Sequence, residues 1–351
     1  MPHEAPAIKA ERLLEQASLR LGTASPLAAG FGRLLHEALP LEAGHRAYWK
    51  HPEPLAAHYS ELAPRNLALN LGVGGPLAPA HHRISAGTEA VTDLVRRHIG
   101  REAESWLRAR SEEARGSGYG ASSWGAEIGA SFDEAGLNET LVSYEWGPSL
   151  MDSLPAPLYR VARAAMDLLP GLRPACSTIH VGRSTGSQQL TFEMTNALPL
   201  AALEPLMREL GLGHQHGSLM SACAFVLGAR FVLPPGAATI TLRPTHVGLE
   251  MRLDIDLDRL PDVPDPLTPL LQMQMAERPR SVRAWRNWLS AFTQEGYQGP
   301  GSFSMLSFVV RPDLPARIAL NLRPAVIEEP ESRAVDGNGA WAGPEAVGVV
   351  R

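Results

Sequence analysis

Lysine is almost missing from this chain. Of 351 residues, only Lys9 and Lys50 carry an ammonium group. Nearly every cation is therefore an arginine, which cannot serve as a general base but whose planar fork grips phosphate oxygens. Cysteine is equally scarce: Cys176 and Cys223 are too few for a disulfide scaffold and have no metal-ligand spacing. No apolar run approaches the roughly 20 residues needed to span a bilayer. The opening segment, MPHEAPAIKAERLLEQ, is polar and acidic, without a signal-peptide core. A formal net charge of −5 leaves no broad cationic face for nucleic acid. These absences predict a soluble cytoplasmic protein that engages neither nucleic acid nor membrane.

Glycine (32) and proline (30) are both abundant, which argues for many turns rather than a helical bundle. The first 60 residues read as helices: Leu13, Leu14, Ala17 and Leu21 recur at helical spacing, as do Leu34, Leu35 and Leu39. A strand candidate at 65–71 and a helix at about 88–110 follow. From Trp124 onward one unit recurs, a strand pair followed by helix. The pairs are WGAEIGASF with TLVSYEW, STIHVGR with QQLTFEM, TITLR with LEMRLDIDL, and SFSMLSFVV with ARIALNLRP. The second pair is followed by the helix LAALEPLMREL, and the third by helices near 267–277 and 281–293. Short turns inside each pair imply an antiparallel sheet; parallel winding would place a helix after every single strand. Residues 1–327 read as one domain with a helical N-terminal segment, and 328–351 as a mobile tail.

Side chains alternate across a strand, so each strand has two faces. In LEMRLDIDL, Met251, Leu253, Ile255 and Leu257 oppose Glu250, Arg252, Asp254 and Asp256. In QQLTFEM, Leu190, Phe192 and Met194 oppose Gln189, Thr191 and Glu193. Ile240 and Leu242 oppose Thr239, Thr241 and Arg243, while Ile318, Leu320 and Leu322 oppose Arg317, Ala319, Asn321 and Arg323. Ile179 and Val181 oppose Thr178 and His180. The amphipathic helices are the natural cover for the apolar faces. The polar faces either meet water or close around a lumen. Nine strand candidates, with a tenth not placed, favour closure, because a large twisted open sheet leaves vulnerable edges. The expected fold is α+β: a closed antiparallel β-barrel of about ten strands with a polar lumen, ringed by α-helices.

This pattern resembles the aromatic prenyltransferases with the αββα barrel, and within them the dimethylallyl-tryptophan-synthase-like, or indole prenyltransferase, branch. The segment DEAGLNETLVSYEWGP (133–148) is similar to that family's acidic turn and following strand, and SMLSFVV with ARIALNLRP to its final strands. The helix LYRVARAAMDLL resembles the segment bringing its first diphosphate-binding arginine, which implies Arg160. The family's substrate-anchoring glutamate falls on Leu141 here, and its diphosphate-holding lysines and tyrosines have no counterparts on the strands.

The resemblance implies transfer of a prenyl group from an allylic prenyl diphosphate to an aromatic or other nucleophilic small-molecule or peptide acceptor, in secondary metabolism. The leaving diphosphate needs fixed cations, for which Arg160, Arg243, Arg252, Arg317 and Arg323 are candidates. Proton removal needs a carboxylate or histidine: Glu145, which shares the parity of Leu141 and Ser143, then Glu193 and His180. Gln189, Thr191, Glu250 and Asn321 are substrate-binding candidates. Trp124, Tyr144, Trp146 and Phe308 are aromatic candidates for cation stabilisation, although Tyr144 and Trp146 have the parity of helix-packing core. The bland alternative for each arginine is a pairing with a neighbouring carboxylate.

No cofactor is required by this reading. Mg2+ is possible but unsupported, and the DDxxD clusters of helical terpene enzymes are absent. The aspartates from Asp254 to Asp265 lack the glycine and glutamate of a calcium loop. His214-Gln-His216 has no third ligand in view and reads as a helix-connecting turn. Two other readings stay open: an enzyme on the same barrel with a non-prenyl substrate, such as a cyclase or isomerase, and a non-catalytic barrel that binds a small ligand.

Overall fold

The computed structural model describes residues 6–38, 55–73, 80–116, 126–147, 149–183, 186–264 and 267–328. Among these residues twelve strands occur in chain order: β1 (Ala56–Ser60), β2 (Leu67–Val73), β3 (Ala126–Asp133), β4 (Gly136–Glu145), β5 (Leu172–Gly182), β6 (Gly186–Met194), β7 (Leu198–Pro199), β8 (Val232–Leu233), β9 (Ala238–Thr245), β10 (Gly248–Asp256), β11 (Gly301–Arg311) and β12 (Leu314–Pro324). β7 and β8 form a small separate ribbon. The other ten close into one barrel in the order β1-β12-β11-β10-β9-β6-β5-β4-β3-β2, with every neighbouring pair antiparallel.

The helices are α1 (Pro6–Leu21), α2 (Gly32–Ala38), α3 (Ala80–His98), α4 (Arg101–Gly116), α5 (Leu150–Ser153), α6 (Ala156–Leu168), α7 (Leu203–Glu209), α8 (His216–Val226), α9 (Leu267–Gln274), α10 (Pro279–Phe292) and α11 (Ala325–Glu328). They ring the barrel: α10 packs on α1, α1 on α2, α2 on α3 and α3 on α4, while α6 meets α7, α7 meets α8 and α8 meets α9. The single helix expected at 88–110 is two, broken at Gly100, where φ is +140°.

Hydrophobic alternation decides which strand face meets the helices. Leu67, Leu69 and Leu71, Ile179 and Val181, Leu190 and Phe192, Ile240 and Leu242, and Ile318, Leu320 and Leu322 are all essentially inaccessible to solvent. Each such side chain removed from water contributes roughly 1.5–3 kcal/mol, so the core is the layer between barrel and helices. Two hairpins use glycine where only glycine fits well: Gly136 and Gly248 lie opposite Asp133 and Thr245 with φ of +117° and +121°.

The tenth strand is β1. Residues 56–60 were expected to be helical; instead they pair with β12 on one side and β2 on the other. Ala56-Ala-His-Tyr-Ser carries two good helix formers, but β2 follows closely to pair with it and distant β12 closes its other edge, so tertiary pairing overrides local preference. The tail beyond residue 328, the Leu39 position and Trp124 lie outside the described residues.

Candidate active site in the barrel lumen

The inward parity expected from the sequence is what the register produces. One belt of paired residues runs around seven strands: Glu145–Cys176–Thr191–Thr241–Arg252–Val309–Arg317. A second belt runs Glu193–Thr239–Asp254–Ser307–Ala319–Ser60. Arg243 pairs with Glu250, and Asn321 with His58. All the strand candidates therefore line one enclosed wall.

The exception is Arg160. It stands exposed on α6, whose buried residues are Leu158, Ala162 and Ala165, and so lies outside the barrel. The expectation that it holds a diphosphate in the lumen is corrected accordingly: the amphipathic helix turns its polar face, Arg160 included, to solvent. The aromatic candidates also point away from the lumen. Tyr144 and Phe308 are buried in the outer core, and Tyr144 Oη shares a hydrogen bond with Thr88 Oγ1 at 3.1 Å. Trp146 packs on Phe192 at 5.6 Å between ring centroids. Among the described residues of the ten strands, no Phe, Tyr or Trp faces inward.

The wall is a network of short polar contacts. Asp254, 2% exposed, accepts from Ser307 Oγ at 2.5 Å and Thr241 Oγ1 at 3.1 Å, and lies 2.7 Å from Arg252 Nε. Thr191 joins through the hydroxyl of Thr241 at 3.1 Å, and Ser143 meets Thr178 at 2.7 Å. Burial pushes the Cys176 thiol up to about 11, so it is no nucleophile near neutrality. His58 Nδ1 contacts Asn321 Oδ1 at 2.8 Å. Burial first, and then the charge of Arg252, holds His58 below its usual range.

A neighbouring group centres on Glu139. Arg243 donates to its carboxylate and also to Ser187 Oγ at 2.9 Å, while His180 Nδ1 lies 3.5 Å from it. Burial opposes the Glu139 charge, but His180 and Arg243 outweigh it and bring the carboxyl down to about 2. His180 is itself held below its usual value by burial and by Arg243, and its Nε2 meets Gln189 Oε1 at 3.2 Å. Glu250 behaves differently. Burial raises its pKa, against the pull of Arg243, Arg252 and Arg311.

The arginines divide by what holds them. Arg243 is paired with Glu139, Arg252 with Asp254, and Arg323 with Asp258 in the short turn just past β10. Arg317 donates to the carbonyls of Pro315 and Ala316, at 3.2 and 3.4 Å, and has no carboxylate within salt-bridge distance among the described residues. Glu145 and Glu193 sit half-buried at the helix-linked ends of β4 and β6. Sequence reasoning missed His58, Glu139 and Arg311. His58 was lost with β1. Glu139 falls in the expected turn because the strand read from Thr140 in fact begins at Gly136, and strict alternation from Ser307 through Val309 would have found Arg311.

The closed ten-stranded antiparallel barrel with a polar interior and a helical girdle is the αββα prenyltransferase barrel. Solved structures similar to this chain include 6-dimethylallyltryptophan synthase from Micromonospora olivasterospora in complex with DMASPP and Trp, at TM-score 0.70 and 11% identity over 93% of this chain and 99% of that one. 5-Dimethylallyl tryptophan synthase from Streptomyces coelicolor, also in complex with DMASPP and Trp, matches at 0.67 and 16% identity over 93% and 98%. AnaPT from Neosartorya fischeri matches at 0.59 and 11% identity over 85% and 86%. At such identities the likeness shows the fold. No protein-family model and no curated protein matches the sequence. Among the described residues no helix is long and apolar enough to cross a membrane, and no group of three His, Cys, Asp or Glu could hold a metal ion.

Proposed function

We propose that this protein transfers a prenyl group from an allylic prenyl diphosphate to an aromatic or other nucleophilic acceptor, a small molecule or peptide, within the lumen, as a step of secondary metabolism. The observation that carries the reading is the closed barrel, shared over nearly its whole length with tryptophan prenyltransferases whose solved complexes contain DMASPP and Trp, with arginines on its inner wall. Arg243, Arg252 and Arg317 hold the diphosphate as the carbon–oxygen bond breaks and charge moves to the leaving oxygen. Arg323 stands by at the rim. Gln189, Thr191 and Asn321 position the acceptor. Glu145 takes the proton the acceptor loses after attack on the allylic cation, with Glu193 and His180 as the other groups able to do so.

One observation favours a second reading. Asp254 and Glu139 already occupy Arg252 and Arg243, and no aromatic face on the described inner wall shields a cation. That arrangement suits a barrel enzyme with a non-prenyl substrate, or a barrel that only binds a polar ligand.

Calorimetric titration with dimethylallyl and geranyl thiodiphosphate separates the two. Saturable binding is expected, with prenylated product appearing when the diphosphate itself is supplied with indole-type acceptors. Replacing Arg252 and Arg317 together by alanine removes two charge-assisted contacts of roughly 1.5–3 kcal/mol each, weakening binding at least about a hundredfold. No binding in the millimolar range selects the second reading.

A further inference from the structure

Three guanidinium groups, Arg243 on β9, Arg252 on β10 and Arg311 on β11, act on one carboxylate, Glu250. They do not face it with a free positive field. Glu139 holds Arg243, Asp254 holds Arg252, and Glu127 also acts on Arg252. As folded, the group carries at least as many carboxylates as arginines. A polyanion that enters must therefore meet cations already compensated, and one carboxylate has to lose its charge before the three arginines are matched instead of outnumbered.

The geometry decides which one. Glu139 is in contact with Arg243 and beside His180. Asp254 is almost inaccessible and accepts two hydroxyl protons. Glu127 accepts from Asn70 Nδ2 at 3.1 Å. All three have a donor or a cation in contact. Glu250 accepts no hydrogen bond from any described residue. Its nearest cation, Arg311 Nε, is 3.9 Å away, and that buried nitrogen itself donates to nothing; its other carboxylate neighbour, Asp313, lies at 3.6 Å. Glu250 is only 17% exposed at the side chain. It is thus an enclosed carboxylate without donors, opposite a guanidinium edge without an acceptor.

We infer that Glu250 takes up a proton when a diphosphate enters the lumen, converting it from an opposing charge into a hydrogen-bond donor and lifting that charge from beside Arg311. The inference rests on the diphosphate reading above and adds to it a proton that travels with the ligand. Charged groups facing Glu250 come from every wall element around it: Arg243 from β9, Arg252 from its own strand, Arg311 from β11 and Glu139 from β4. Burial already favours its neutral form, and an incoming polyanion strengthens that preference.

Calorimetry of the full chain with inorganic pyrophosphate and with dimethylallyl thiodiphosphate, in buffers of different ionisation enthalpy from about pH 6 to about pH 8, counts the protons. Wild type is expected to absorb close to one proton more than Glu250→Gln, with Glu250→Asp restoring the uptake. Its affinity falls by up to about tenfold per pH unit more steeply than that of Glu250→Gln. The ligand's own titration is common to both proteins and cancels. Arg311→Ala removes the nearest cation and is expected to shift the uptake to higher pH, which gives a second handle if Glu250→Gln does not fold. Equal proton counts and equal pH slopes in wild type and Glu250→Gln, with Arg311→Ala unshifted, overturn the inference while leaving diphosphate binding intact. Absence of binding by both probes overturns the diphosphate reading, and the inference falls with it.

Discussion

Glu139 shows what one residue does when its neighbours are chosen for it by register. Its side chain lies near Arg243 and His180, from strands that the fold alone brings together. The folded carboxyl sits near 2 against an ordinary 4.5, so its contribution to stability is fully present above the ordinary value. It is lost as pH falls from there through the folded value. The difference corresponds to about 3 kcal/mol at neutral pH. Glu139→Gln is expected to lower the unfolding free energy measured by urea titration by that order near neutrality. The gap to wild type should close as pH falls below about 4. A gap independent of pH across that span would mean that Glu139 acts through packing and not through its charge.

At the scale of elements, α10 is the clearest case of a helix fixed by its apolar face. Trp285, Trp288, Ala291 and Phe292 are buried, and Trp285 and Trp288 stack at 5.7 Å while both meet Tyr59 of β1 edge-on, at 4.8 and 5.6 Å. Trp285→Ala leaves a large cavity under the helix, at a cost of about 3–5 kcal/mol. Hydrogen exchange should rise in α10 and β1 ahead of β5 and β6, and a uniform rise would argue that α10 is not a separable layer. The strand pairs, their inward parity and the helical cover were legible in the sequence, because alternation and helical periodicity are local. What escaped were β1, whose five residues carry alanines and which is held by distant β12 as well as by nearby β2, and the polar contacts across the lumen. Arg243 and Glu139 are 104 positions apart, and Asp254 and Ser307 are 53 apart. Parity says which way a side chain points, but only the register between strands says what it meets. For that reason the arginines were found on the correct face while the carboxylates that occupy them were not all foreseen.

The whole molecule depends on a seam. β1 is the shortest barrel strand, and it joins β12, from the end of the described chain, to β2 near its beginning. Just past β1, Glu61 pins that seam. Its backbone N–H donates to Ile318 O at 3.0 Å, and its buried carboxylate accepts from Ile318 N–H at 2.8 Å and from Arg278 Nε at 2.9 Å. Arg278 follows α9 and precedes α10, so one carboxylate ties the helical ring to the barrel closure. Removing it strands a guanidinium that is only 25% exposed and a backbone donor, and breaking such a pair costs about 3–5 kcal/mol. Glu61→Ala should therefore open the barrel locally: amide exchange accelerates in β1, β2 and β12 while β5, β6, β9 and β10 stay protected, and ligand affinity in the lumen falls although no lumen side chain has changed. Glu61→Gln keeps an acceptor for Ile318 but not the charge that holds Arg278, and should fall between the two. If Glu61→Ala instead loses protection equally in all ten strands, the barrel unfolds as one unit, and the seam between β1 and β12 is no weaker than the rest of the wall.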